Sequence, residues 1–363
     1  MTRREALAAV AASPLALTRR AGAAPARPFR LGFTPFPYDI SFEAIDFSYA
    51  ALARDADLVV HSLDEGVPWD EALEDAPFPP KVRSDWEDRA RRTPRGHAVY
   101  VQLNPLNLLK SGIAEDLSAR RSSEWAQRPL DDARVVEAFT NYCERAIATF
   151  RPQWLGFIES NLLRTNSPAA WPRYVSLHRQ VRAALKKRRP RLPIFSTWVT
   201  VALVEGIAPE HRHSDQMAAL RDLLPLCDVF ALSHYPYMSA LTAERLPADM
   251  LDKLARLASG KPIAIAESGY PAAEFAIQNG ALRFRGTPEK QEAFVRGLLE
   301  AAQRHRFLFV NNFVIRDYEP LWRKIGSTDL AAVWKNTGLY DAAGHPRPAL
   351  RVWREALARP YRR

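Results

Sequence analysis

Eight short apolar segments recur along the chain, and a longer segment of different periodicity separates each from the next. The eight are FRLGFTPF (29–36), ADLVVHSL (56–63), HAVYVQLN (97–104), WLGFIESN (154–161), LPIFSTWV (192–199), DVFALSHYPY (228–237), KPIAIAES (261–268) and FLFVNNFVI (307–315). The stretches between them, such as 131–150 and 289–305, repeat apolar residues every three to four positions, as amphipathic helices do. Strands alternating with helices predict a parallel sheet whose faces are covered by helices. Eight such units predict a closed (β/α)8 barrel, the TIM barrel.

A doubly wound open sheet is the alternative architecture. It usually has fewer strands and a glycine-rich first turn, whereas LGFTPFPYD (31–39) contains no G-x-G-x-x-G pattern. A length of 363 residues suits a barrel with extended loops. We therefore predict one barrel domain over 27–363, with 64–95 as a loop-and-helix insertion over the barrel mouth.

The N-terminal residues 1–26 have the pattern of an export signal. Arg3 and Arg4 precede an apolar stretch over 6–17, and small residues follow at 21–23. The paired arginines resemble a twin-arginine signal that is removed on export. The alternative is an arginine-flanked disordered tail. Export predicts a periplasmic or secreted protein, and no later apolar run is long enough to span a membrane. We expect a monomer.

Charge and cysteine content restrict the partners. The formal net charge is +10, but the basic residues are dispersed apart from KKRRPR (186–191), which suits the C-terminal end of a helix. We therefore predict no nucleic-acid partner. Cys143 and Cys227 lie among apolar neighbours, which favours two buried thiols, although one disulfide remains open. His211 and His213 have no third partner at metal-ligand spacing, so we predict neither a metal nor a cofactor.

Polar and aromatic residues collect where the predicted strands end. In a barrel these ends and the loops after them line the open concavity. The candidate site residues are His61, Trp69, Gln102, Asn104, Glu159, Asn161, Trp198, His234, Tyr235, Glu267, Asn312 and Asp317. Taken singly, each has an ordinary structural explanation, such as loop hydrogen bonding, an ion pair or core packing. Taken together, amides, acids and aromatic rings suit a carbohydrate, because rings stack on sugar C–H faces while polar groups bind hydroxyls.

Glu159 and Glu267 form the most informative pair. They end the fourth and seventh predicted strands, so a closed barrel brings them to the same rim. Retaining glycoside hydrolysis requires two carboxyl groups about 5–5.5 Å apart, one protonated to assist the leaving group and one ionised to attack the anomeric carbon. This pair therefore predicts a glycosidase that cleaves a poly- or oligosaccharide.

These features resemble a known group of enzymes. Glutamates ending the fourth and seventh strands, together with PIAIAESGYP (262–271), are similar to glycoside hydrolase clan A. DEGVPWDEAL (64–73) and LSHYPY (232–237) resemble the endo-β-1,4-galactanase family within it, and NTGLYDAAGHPRPALRVW (336–353) is similar to the closing segment of such enzymes. The resemblance implies that Glu267 is the nucleophile and Glu159 the acid/base. It also implies that Tyr235 hydrogen-bonds the nucleophile and that His234 lines an adjacent subsite.

Two positions depart from the clan pattern. The clan usually has Asn directly before its acid/base to hold the sugar 2-hydroxyl, and here that position is Ile158, with Asn161 as a replacement two residues after the acid/base. His61 stands near the place of the clan's strand-two arginine. These departures keep open a second hypothesis, a catalytically impaired barrel that binds glycan during polysaccharide assembly or export.

Overall fold

The computed structural model of the protein describes residues 26–120, 122–239, 247 and 249–363. The predicted export signal lies outside these residues, apart from Ala26. From Ala26 onward the chain contacts the barrel, since the Ala26 carbonyl accepts a hydrogen bond of 3.1 Å from Nε2 of Gln303.

Eight parallel strands close into a barrel, as the sequence predicts. They are β1 (Arg30–Phe33), β2 (Leu58–Leu63), β3 (Ala98–Leu103), β4 (Trp154–Phe157), β5 (Ile194–Val199), β6 (Phe230–His234), β7 (Ile263–Ser268) and, after the hairpin strands β8 (Glu274–Ile277) and β9 (Leu282–Arg285), β10 (Phe309–Asn312). Their order around the barrel follows the chain, and β10 closes it against β1. The (β/α)8 prediction is confirmed, because each of the eight apolar segments forms one barrel strand.

Helices surround the barrel. In the described residues they are α1 (Phe42–Asp55), α2 (Trp69–Leu73), α3 (Pro80–Arg92), α4 (Ala133–Phe150), α5 (Leu162–Asn166), α6 (Trp171–Arg188), α7 (His213–Leu223), α8 (Met250–Leu257), α9 (Pro288–Arg304), α10 (Glu319–Lys324), α11 (Asp329–Ala332) and α12 (Pro348–Leu357). Side-chain caps begin several of them: Ser41 accepts from the backbone of α1, Asp132 from α4 and Thr287 from α9. Such caps satisfy backbone N–H groups that have no partner within the helix.

The predicted insertion over 64–95 is wrong for its main helix. Its main helix, α3, is the regular helix between β2 and β3, and Arg92 near its C-terminal end pairs with Asp46 of α1. Trp86 of α3 packs against Tyr142 and Phe150 of α4, with ring centroids 5.2 and 5.6 Å apart. This helix therefore belongs to the outer ring of helices and does not cover the mouth.

Two other connections extend the mouth. The first is the long connection between β3 and α4, described over 104–120 and 122–132. The second is the antiparallel hairpin of β8 and β9, which follows β7. Phe275 and Phe284 of the hairpin stack with ring centroids 4.5 Å apart, and Phe284 contacts Tyr237. The hairpin thus supports the aromatic residues that follow β6.

Cys143 and Cys227 are both buried and unpaired, which confirms the expectation of two thiols. Among the described helices, none combines the length and the apolar character needed to cross a bilayer.

Candidate active site

Glu267 lies near the C-terminal end of β7, partly open to solvent at the barrel mouth. Two side chains from other strands hold its carboxylate. Nε2 of Gln102 on β3 donates a hydrogen bond of 2.8 Å to Oε1, and the hydroxyl of Tyr235, just after β6, donates one of 3.2 Å to Oε2. The carboxylate is therefore fixed in one orientation from both sides.

Glu159 lies two residues beyond the end of β4, in a turn. Its φ of 45° is in the left-handed region, which a residue other than glycine adopts rarely. Its backbone N–H donates to Oγ1 of Thr197 on β5 at 2.6 Å, and its Oε1 accepts a hydrogen bond of 2.7 Å from Oγ of Ser233 on β6. Neighbouring strands thus hold the turn in a conformation that aims the carboxylate at β6.

Ser233 connects the two glutamates. Its Cα is paired in register with that of Glu267, across the parallel β6–β7 ladder, so the side chains of both residues leave the sheet on the same side. The same Ser233 hydroxyl binds the Glu159 carboxylate. Two acids separated by more than a hundred residues along the chain therefore meet at one rim of the barrel.

The surroundings of the pair change its acidity. Burial raises the pKa of Glu267, and the nearby charge of Glu159 raises it further, whereas the hydrogen bonds from Gln102 and Tyr235 lower it. Asp64, in the loop after β2, also raises this pKa through its negative charge. A raised pKa of Glu267 means that the pair retains a proton to higher pH than an isolated carboxyl group would.

Strand β3 directs a stripe of polar side chains into the barrel. Tyr100 and Gln102 are alternate residues of it, Asn104 follows directly after its end, and each is almost fully buried. The Tyr100 hydroxyl, Oε1 of Gln102 and Nδ2 of Asn104 have no hydrogen-bond partner in the described protein. Gly156 on β4 gives the Tyr100 ring its space, because a Cβ there would collide with the tyrosine hydroxyl. Buried polar atoms without partners are costly, so Gln102 and Asn104, at the mouth end of this stripe, suit contact with a polar ligand.

Aromatic rings form one wall beside Tyr235. Trp334, in the loop after α11, lies edge-on to Tyr235 with ring centroids 6.1 Å apart, and Phe313 lies edge-on to Trp334 at 6.3 Å. Nε1 of Trp334 has no partner among the described residues. Trp334 is not among the residues predicted from the sequence, because it follows no strand. Its only signal is its place just before the 336–353 segment.

Three candidate residues lie in the protein core, and their predicted contact with substrate is wrong. His61 is fully buried beside the Phe150 ring, and burial lowers the pKa of His61 to about 3, so it supplies no charge in place of an arginine. Trp69 stacks on Trp125 and donates to a backbone carbonyl. Trp198 is fully buried on the outer side of β5. Each side chain faces the helices or loops that cover the barrel.

Four further candidates hold the scaffold. Asn161 has both ends of its amide occupied, by Oε1 of Gln216 and by the backbone N–H of Val199, so it does not replace an asparagine at position 158. His234 stacks on Phe294 of α9. The side-chain amide of Asn312 donates a hydrogen bond to the carbonyl of Val314. Asp317 forms a buried ion pair with Arg347, at 2.5 Å. Of the twelve candidates, the structure brings together Gln102, Asn104, Glu159, Tyr235 and Glu267.

In the described part of the chain, no group of three or more His, Cys, Asp or Glu side chains is placed to hold a metal ion. His211 bonds the hydroxyl of Thr165 through Nδ1 at 2.9 Å, and this contact accounts for its position.

Comparison with solved structures identifies the class of proteins that share this fold. A GH5_18 protein from Streptomyces cattleya, solved in complex with GlcNAc, aligns with a TM-score of 0.62 and 18% identity over 93% of this chain and 83% of that one. The exo-β-1,4-mannosidase Op5Man5 from an Opitutaceae bacterium aligns with a TM-score of 0.61 and 16% identity, over 91% of this chain and 59% of its own. A fungal β-1,4-galactanase aligns with a TM-score of 0.55 and 14% identity over 90% of this chain and 94% of that one.

These three structural neighbours are glycoside hydrolases, and one of them belongs to the galactanase group that the sequence resembles. At these identities the likeness establishes the fold. No family model matches the sequence, and no curated protein matches it either.

Proposed function

We propose that the protein is a retaining glycoside hydrolase in which Glu267 is the nucleophile and Glu159 the acid/base. The observation that carries this proposal is the Ser233 hydroxyl, which binds the Glu159 carboxylate from a position in register with Glu267. The pair lies at the C-terminal rim of the barrel, where the fold places reactive groups. The glycoside hydrolases among the structural neighbours support the same chemistry.

The first step forms a bond between the enzyme and the sugar. Oε of Glu267 attacks the anomeric carbon while protonated Glu159 gives its proton to the glycosidic oxygen, and the C–O bond to the leaving sugar breaks. In the second step Glu159, now ionised, takes a proton from water. The resulting nucleophile attacks the same carbon and releases Glu267, so that two inversions leave the anomeric configuration unchanged.

Neighbouring residues serve this cycle. Gln102 and Tyr235 keep the Glu267 carboxylate oriented and favour its ionised form. Asn104 lies beside Ile158, because the β3–β4 register that pairs Leu103 with Phe157 continues into the hydrogen bond from the Ile158 N–H to the Leu103 carbonyl. Nδ2 of Asn104, which has no partner in the described protein, is therefore a donor for a sugar hydroxyl next to the acid/base. Trp334, next to Tyr235, offers an aromatic ring for contact with a sugar.

We also propose that residues 1–26 direct export and are then removed. Arg3, Arg4 and the apolar run after them support this, and so does the packing of the chain from Ala26 onward. N-terminal sequencing of protein from the periplasm or medium tests it. A mature chain that still begins at Met1 would contradict it.

Substitution of the two glutamates tests the catalytic proposal. Glu267→Gln and Glu159→Gln are each expected to lower kcat on a β-linked oligosaccharide by about a thousandfold or more, with Glu300→Gln, on the exposed face of α9, as the matched control. Two further variants, Glu159→Ala and Glu267→Ala, should recover turnover of an activated aryl glycoside when azide is added. The glycosyl azide should have the retained configuration for Glu159→Ala and the inverted one for Glu267→Ala.

The product configuration, followed by NMR, gives an independent result. Initial release of the inverted anomer would contradict retention. Undiminished activity in both Gln variants would exclude the pair altogether. A third outcome is that a gel containing glycan slows the migration of the wild type while the protein hydrolyses none of a broad panel of glycans. That outcome would favour a glycan-binding barrel.

A further inference from the structure

A separate cavity of about 380 Å³ lies on the flank of the barrel mouth, between the end of β2, α3 and the loop before α4. Its volume is within the range of about 300–1,000 Å³ that is usual for ligand sites. The polar side chains that line it are those of Ser62, Glu65, Lys81, Asp85, Arg89 and Ser118. None of them belongs to the catalytic group described above.

Arg89 is fixed at the cavity wall. Its Nε donates to Oδ2 of Asp85 at 2.8 Å and its Nη1 to the Ser62 carbonyl at 3.3 Å. In contrast, no side chain in the described residues pairs with the Lys81 ammonium or the Glu65 carboxylate, and both residues are exposed. The cavity therefore offers one free cation and one free anion beside a pair that is already neutralised.

This balance of charge indicates the kind of ligand. Two basic and two acidic side chains give no net charge, so the cavity favours neither an anion nor a cation. Hydroxyl groups both donate and accept, so a neutral polyhydroxylated ligand can bind Lys81 and Glu65 at once. Trp86 and Tyr142 line the cavity too and add apolar surface, which the C–H faces of a sugar can contact.

The cavity is also adjacent to the glutamate pair. Leu63 and Glu65 line it, and Asp64 between them is close enough for its charge to act on Glu267. A glycan lying across the mouth can thus continue from one site into the other. We infer that this cavity is a distal subsite that binds sugar units of an extended neutral glycan, an inference that rests on the proposed glycosidase function.

The dependence of activity on substrate length tests the inference. The substrates are β-1,4-linked manno-, galacto- and gluco-oligosaccharides of two to six units. For the full-length protein with Glu65→Gln and Lys81→Ala together, the ratio of kcat/KM for the hexasaccharide to that for the disaccharide is expected to fall about tenfold, because hydrogen bonds to charged groups are lost. Ala119→Trp, which places a large ring at the exposed edge of the cavity, should lower the same ratio.

The matched controls are Lys187→Ala and Glu300→Gln, which remove one exposed charge of each sign elsewhere and should leave the ratio unchanged. An unchanged ratio in both cavity variants would overturn the subsite. If the wild type hydrolyses none of the substrates, the catalytic proposal fails, and affinity electrophoresis with polymers of the same sugars decides the subsite separately. Retardation that the cavity variants lose would support it, and equal migration of all proteins would overturn it.

Discussion

The side-chain amide of Gln102 donates a hydrogen bond of 2.8 Å to Oε1 of Glu267, and this bond joins β3 to β7 through the barrel interior. The donor is neutral, and the buried imidazole of His61 near the end of β2 is neutral as well. The groups that favour the ionised form of Glu267 are therefore the hydrogen-bond donors Gln102 and Tyr235 rather than a cation. Burial and Glu159 act in the opposite direction, which leaves the pKa of Glu267 raised.

Replacing Gln102 should move the pH profile. In Gln102→Leu the carboxylate loses a donor that favours its charged form, so its pKa rises further. Because Glu267 must be ionised to attack, the acidic limb of kcat/KM should shift to higher pH, and kcat/KM at the optimum should fall about tenfold or more. Steady-state kinetics across pH 4–9 measure this. Gln180→Leu, on the exposed face of α6, is the control, and an acidic limb that stays in place would refute the assignment.

Glu267 should also lower the stability of the protein at high pH. Its folded pKa is above the unfolded value, so the native state binds the proton more tightly, and the free energy of unfolding falls as pH rises between the two pKa values. Glu267→Gln removes this effect and keeps partners for Gln102 and Tyr235. Its melting temperature should exceed that of the wild type by about 2–4 °C near pH 9.

At pH 4, where the carboxyl is mostly protonated in both states, the two melting curves should nearly coincide. Thermal unfolding followed by circular dichroism at both pH values provides the measurement. A difference between the two proteins that is the same at pH 4 and pH 9 would show that Glu267 is not held with a raised pKa.

Asn104 offers a selective test of substrate recognition. Its Oδ1 accepts from the Leu106 N–H at 3.1 Å, while its Nδ2 has no partner in the described protein. Asn104→Asp keeps the acceptor and removes the donor, so the loop should stay folded while kcat/KM falls about tenfold to a hundredfold. The substrate lacking the hydroxyl beside the anomeric carbon should lose less in this variant than in the wild type. Equal losses for both proteins would show that Asn104 contacts another group.

The sequence was sufficient to predict the barrel and the common rim at which Glu159 and Glu267 lie. The eight strands are buried on both faces, so their apolar runs stand out, and a closed parallel barrel brings all strand ends to one rim. That geometry predicts that Glu159 and Glu267 share the rim, whereas their catalytic roles stay a prediction. The alternation of side chains along β3 also predicts that Gln102 and Asn104 face the same side as each other.

The direction of a residue at a strand end is what the sequence did not determine. His61, Trp198 and His234 each stand one position out of phase with the inward-facing set, and a difference of one residue turns a side chain from the mouth to the helices. Trp334 lies on a long loop, whose path depends on tertiary contacts rather than on periodicity.

Asp317 provides a test of a residue reassigned from substrate binding to structure. Its side chain is 4% exposed and that of Arg347 is 11% exposed, and the carboxylate also accepts from the Gly338 N–H at 3.0 Å. Asp317→Ala leaves the buried guanidinium without its partner and should destabilise the protein by about 3–5 kcal/mol. Chemical denaturation at pH 7 measures this loss.

Replacing both partners should reverse most of that loss. Asp317→Leu combined with Arg347→Met exchanges the ion pair for apolar groups, which often costs little where removal of one charge costs much. Because Asp317 contacts Arg347 and the backbone rather than the mouth, KM of the double variant, assayed well below its melting temperature, should equal that of the wild type. A several-fold rise in KM with recovered stability would place Asp317 at the substrate after all.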